Sequence, residues 1–161
     1  MKKFELTTDT KMFLGRKLFR IKALISFGNV RAGDMGGYIE KEENLSQYGN
    51  AWVYGNAKVY GNAWVYGNAE VYGNAEVYGN AEVYGNADYA TASGFGSEYR
   101  TTTFFKLKNS DEIGVRCGCF YGTLKEFKEK VKETHGESKK AKEYLMLADL
   151  MEYRFSEEKK A

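Results

Sequence analysis

A six-residue period runs unbroken from Gln47 to Asp88, and nothing else in this chain restricts its folding as severely. The clearest unit is Val53-Tyr54-Gly55-Asn56-Ala57-Lys58, and it restarts at Val59, Val65, Val71, Val77 and Val83. From Val53 on only the sixth position varies, and that slot runs through Trp52, Lys58, Trp64, Glu70, Glu76, Glu82 and Asp88. A helix cannot carry this pattern, because each Gly costs roughly 1 kcal/mol relative to Ala in a helix interior. Collagen would need Gly at every third residue. The unit therefore reads as a short strand, Ala-x-Val, followed by a Tyr-Gly-Asn corner. Strand alternation turns Ala and Val inward and the variable residue outward. Gly and Asn accept the positive φ of a tight corner.

Three units close a triangular turn of the chain, and turns stacked about 4.8 Å apart satisfy each other's backbone groups. The Ala phase extends back through Leu45 to Ile39, and the Val phase forward to Tyr89 and Phe95, so about three coils are expected from residue 39 to about 94. On that winding Trp52, Glu70 and Asp88 share a first face, Lys58 and Glu76 a second, and Trp64 and Glu82 a third. The corner tyrosines stack as Tyr54/Tyr72, Tyr60/Tyr78 and Tyr66/Tyr84. Outward Trp and a Tyr ladder predict contact with another subunit. The expected interface residues are Trp52, Trp64, Tyr54, Tyr60, Tyr66 and Tyr72.

The Val-x-x-x-Ala-x unit resembles the hexapeptide repeat of left-handed parallel β-helix proteins, which are commonly homotrimers. The whole chain is similar to a family of small phage and prophage proteins with Tyr-Gly-Asn-Ala-x-Val repeats. The matching head runs from Gly33-Asp34-Met35-Gly36-Gly37-Tyr38-Ile39 to Ser46. The matching tail is Arg100-Thr101-Thr102-Thr103-Phe104-Phe105 with Cys117-Gly118-Cys119-Phe120-Tyr121-Gly122. The resemblance implies the left hand of the coil, the trimer, and a cytoplasmic counter-defence role in an infected bacterial host.

The flanks depart from the period. Residues 1–38 read as a β-cap, with strands Met12–Leu14 and Lys17–Ala23 around Gly15-Arg16. Residues 39–96 are the repeat body. Residues 97–161 read as a ββαα unit, with strands Thr101–Lys108 and Glu112–Phe120. A capping box, Thr123 with Glu126, opens the first helix, Gly136 stops it, and Ser138 caps the second. Ala141, Tyr144, Leu145, Ala148 and Met151 form the second helix's buried stripe. The expected fold class is mainly β: a left-handed parallel β-helix with these two caps, as a homotrimer.

Charge and composition narrow the chemistry. The net charge is +2, but residues 1–33 carry eight Lys/Arg against two acids while residues 34–93 carry two against eight. A basic head that docks on an acidic body, its own or a neighbour's, follows from this split. The bulk balance predicts no DNA partner. No apolar run approaches the ~20 residues of a bilayer span. Met1 to Leu6 lacks the apolar stretch of a signal peptide, so export by that route is not expected. A single His excludes sites needing several His from one chain. Acyl transfer, which the hexapeptide resemblance implies, would need a His base in the repeat body, and there is none. His135 lies at a helix end. Cys117 and Cys119 share a strand face and with His135 could supply soft metal ligands, but core packing is the ordinary fate of free Cys. No metal and no cofactor are expected.

Arg100-Thr101-Thr102-Thr103 suits a phosphate, through an Arg fork and neighbouring hydroxyls. Lys106, Arg116 and His135 could join it, and Phe104 or Tyr121 could stack on a base. The expected function is a sponge: a trimer that sequesters a nucleotide-derived immune signal in clefts between subunits, without catalysis. The alternatives are a protein-binding inhibitor of a host defence complex and an acyltransferase-like enzyme.

Overall fold

A computed structural model describes residues 2–95, 101–108, 110–118 and 120–156. The chain opens with a long hairpin, β1 (Phe4–Phe13) and β2 (Arg16–Ala23), then β3 (Met35–Ile39). Six two-residue strands follow: β4 (Trp52–Val53), β5 (Lys58–Val59), β6 (Trp64–Val65), β7 (Glu70–Val71), β8 (Glu76–Val77) and β9 (Glu82–Val83). The C-terminal part comprises β10 (Tyr89–Ala92), β11 (Thr102–Lys106), β12 (Ile113–Cys117), β13 (Phe120–Thr123), α1 (Leu124–His135) and α2 (Lys139–Phe155).

The repeat sets direction as its alternation requires. Ala51, Ala57, Ala63, Ala69, Ala75 and Ala81 are buried with Val53, Val59, Val65, Val71, Val77 and Val83 in one core. Parallel pairs join Trp52 to Glu70, Lys58 to Glu76 and Trp64 to Glu82. The corner glycines Gly49, Gly61 and Gly67 pack against the corner three units on; at Gly67, with φ of 67°, a Cβ would sit 2.6 Å from the Tyr84 carbonyl oxygen.

These elements do not make the expected three-coil parallel β-helix. The strands fall into a five-stranded sheet (β1-β2-β3-β5-β8), a four-stranded antiparallel sheet (β10-β11-β12-β13) and two separate pairs, β4-β7 and β6-β9. Among the described residues no sheet is closed or continuous around the chain, and helix accounts for 24% against 39% strand. Each unit leaves only two residues for ladder hydrogen bonds, so the three faces stay separate small sheets. The second face is annexed by the antiparallel hairpin through the parallel pair Tyr38–Lys58. The winding also stops at Val83. Asp88 Oδ2 accepts from the Tyr84 and Gly85 N–H groups, and a 3-10 turn over Asn86–Asp88 redirects the chain. Tyr89, far larger than the Val it replaces, begins a strand antiparallel to β11. The expected extension to Phe95 is thereby lost. The tail gains β10 and β13 over the ββαα expectation.

The head covers the start of the repeat body. Lys3 is buried, and its Nζ donates to the carbonyls of Ala51 (2.8 Å) and Gly49 (3.4 Å) above the Phe27 ring. Burial lowers its pKa to about 8. Gln47 Oε1 accepts the Lys3 and Phe4 N–H groups. Gly36 packs so tightly that a Cβ there would meet Ile21 and Trp52 within 2.8 Å.

In the tail the four-stranded sheet lies between the repeat body and the helices. Phe105 belongs to the repeat core, while Phe104 and Val115 belong to the helix-side core with Phe127, Val131, Tyr144 and Met151. The helix signals hold in detail: Thr123 Oγ1 accepts the Glu126 N–H, Glu126 Oε1 accepts the Thr123 N–H, and Ser138 Oγ accepts the Ala141 N–H. Among the described residues no helix is long and apolar enough to cross a membrane.

Candidate functional site

Strand alternation decides the fate of the expected phosphate-binding residues. Thr103, Arg116 and Tyr121 are register partners across β11, β12 and β13, and they share the side facing the repeat body. Thr102, Cys117 and Phe120 are partners one residue away and face the helices. The set is therefore divided between the two sides of one sheet.

On the repeat side the groups are already engaged. Thr103 Oγ1 accepts the Glu76 N–H at 2.9 Å. Arg116 is buried; its Nε lies 3.7 Å from Glu76 Oε1, and its guanidinium sits 4.9 Å from the Tyr78 ring centre. Tyr60 donates to the same Glu76 oxygen and stacks on Tyr78 at 4.5 Å. Burial, with the Glu76 charge second, raises the Tyr60 pKa. Arg16 continues the array, donating to both Glu40 oxygens and to the Tyr78 hydroxyl. Tyr121 holds the Asn80 N–H at 3.4 Å and meets Tyr78 edge-on. This network staples head, repeat and tail together.

On the helix side Thr102 donates to Cys117 Sγ at 3.2 Å, Phe104 is buried against Phe127, and His135 stacks on Tyr144. Cys117 and His135 do line one small cavity of about 250 Å³. Among the described residues no cluster of three or more His, Cys, Asp or Glu could hold a metal. Lys106 pairs with Asp88 at 3.0 Å at the surface, and Thr101 shares a hydroxyl contact with Ser93. Arg100 and Cys119 lie outside the described residues. The sequence grouped these side chains by proximity along the chain, but a strand sends neighbours to opposite faces.

The expected interface aromatics divide as well. Trp52 is 1% exposed beneath Phe4 and Phe27, and Tyr60 is fully buried, so neither is a surface residue. Tyr54 and Tyr66 are half-buried. Trp64 and Tyr72 are exposed. Trp64 stacks on Tyr66 at 3.8 Å. Burial, with a hydrogen bond to Glu82, pushes the Tyr66 pKa up to about 12.

A cavity of about 940 Å³ forms a groove between the first face and the end of α2. Tyr72, Asn86 and Tyr89 form one wall, and Leu150, Tyr153 and Arg154 the other. Tyr89 is anchored by its hydroxyl, which donates to the Glu70 carbonyl, and Tyr72 meets it edge-on. Asn86 Oδ1 accepts the Glu70 N–H, so its Nδ2 is the donor that side chain has left for a ligand. Tyr153 and Arg154 escaped the sequence reading. The signal was present: Met146, Leu150 and Tyr153 recur at helical spacing and form a second apolar stripe, exposed, beside the buried one. No family model matches the chain, and no curated protein matches it significantly.

Proposed function

We propose that this chain is a capture protein for a small ligand that carries both an aromatic ring and negative charge, as a nucleotide does. The groove between the first face and α2 is its site, in place of the divided strand set. The observation that carries the reading is the groove's composition. At about 940 Å³ it has room for a nucleotide-sized molecule. Tyr72 and Tyr153 offer exposed ring faces, and Arg154 offers a planar cation suited to phosphate. Held without turnover, such a ligand would be withdrawn from signalling, and the counter-defence sponge implied by the family resemblance is the setting for that activity.

Equilibrium dialysis against AMP and a cyclic dinucleotide tests this, followed by heat release and mass analysis of what was bound. The released compound is expected to be chemically intact. Arg154→Ala is expected to weaken binding about tenfold or more, as loss of a charge-assisted contact does. Equal affinity in Arg154→Ala and Tyr153→Ala would place the site elsewhere, and a cleaved product would make the protein an enzyme.

A further inference from the structure

The tip of the first hairpin is built against its own folding preference. A two-residue hairpin loop of this kind asks for positive φ at both central positions, and Asn-Gly is the favoured pair. Here the pair is Leu14-Gly15, with φ of 50° and 79°. Leu14 is the only non-Gly residue with positive φ among those described. A γ-branched apolar side chain gains nothing in that backbone region, and this one is not repaid by burial. Leu14 is 49% exposed and its neighbour Met12 69% exposed. Lys11 and Lys17 flank them, both exposed. Beneath the tip the hairpin is firmly held, by Phe13 edge-on to Tyr60 and by Arg16 on Glu40. The result is a rigid finger with an apolar end and a basic collar.

The third face carries the complementary surface. A cavity of about 550 Å³ opens beside the exposed rings of Tyr48 and Trp64. Glu43, Glu42 (paired with Lys2 at 2.8 Å) and Glu82 (which accepts from the Tyr66 hydroxyl) line it beside the cation Lys108. None of the finger's residues lines this cavity in its own subunit. We infer that the hairpin tip of one copy docks in the aromatic, acidic cavity of a second copy. Leu14 and Met12 meet the rings of Tyr48 and Trp64, and Lys11 and Lys17 meet the carboxylates. The charge complementarity between basic head and acidic body thus operates between copies. A closed homotrimer is one arrangement that uses this contact at every subunit. The inference stands apart from the ligand groove, which lies on the first face.

Sedimentation velocity of the full chain over a concentration series, paired with urea unfolding at high dilution, tests it. The wild-type chain is expected to self-associate. Leu14→Asn is expected to weaken association about tenfold or more, the loss typical of a buried apolar anchor. At dilutions where both proteins are single subunits, the same variant is expected to unfold at higher urea, because Asn suits the turn. Glu43→Lys should also weaken association, and adding Lys17→Glu to it should restore it. A wild-type chain that sediments as one subunit at about 100 µM, where an interface with a Kd of ~1 µM would be almost fully formed, overturns the inference. So does a Leu14→Asn variant that associates as tightly as wild type, or a charge swap without rescue. A wild-type chain that associates but binds no nucleotide would instead count against the groove and leave this inference standing.

Discussion

Trp52 and Trp64 hold the same slot in the same repeat, yet the first is buried and the second is 42% exposed. The difference lies in what the rest of the chain lays over each face. On the first face the head folds back, so that Phe4 and Phe27 close over the Trp52 ring and Lys3 reaches the corner carbonyls. On the third face the Trp64 ring lies in a flat stack on Tyr66, with no such cover from the head among the described residues. A repeat dictates which side chains leave the core; it does not dictate which of them reach solvent.

The contrast can be broken most forcefully at Trp52. Trp52→Ala removes a fully packed ring and should cost about 3–5 kcal/mol of stability, read by urea denaturation. A loss below about 1 kcal/mol, the range of surface substitutions, would mean that the head does not pack as described. An intermediate effect belongs to Lys3. Its pKa is lower in the folded chain, about 8, than the 10.5 of an unburied lysine. The folded state therefore resists the charged form: the penalty is fully present below pH 8 and is relieved as pH rises through 8 towards 10.5. Stability relative to a Lys3→Met variant should climb across that window and be flat below it. A flat difference throughout would show an ammonium that is solvated rather than caged. The smallest effect is expected at Trp64. Trp64→Ala should change subunit stability by less than about 1 kcal/mol while weakening self-association, which sharpens the distinction between a ring that holds the fold and a ring that meets a partner.

Much of the local structure was legible because it depends on neighbours in sequence. The inward Ala and Val, the pairing of each variable residue with the one three units on, and the Thr123–Glu126 capping box all follow from short-range periodicity and chemistry. The candidate site was far less legible. Arg100 to Lys106 looked like one phosphate cradle because the residues are adjacent, yet Thr103 serves Glu76 while Phe104 faces the helices. The groove residues Tyr72 and Arg154 are distant in sequence and come together only when the end of α2 lies beside the first face. The expected regular coil failed for a similar reason. A period of six specifies corners, but with two paired residues per face it does not specify how those faces join, and an antiparallel hairpin on one of them and Tyr89 at the end of the run settled the matter.

By itself the sequence determined the period, the inward residues and the helix ends, since these reflect φ preferences, alternation and hydrogen bonds within a few residues. Only the tertiary structure decided which tryptophan is core, which threonines are already engaged, and where an open groove lies. Those outcomes rest on burial, and burial is a property of surfaces brought together from far along the chain.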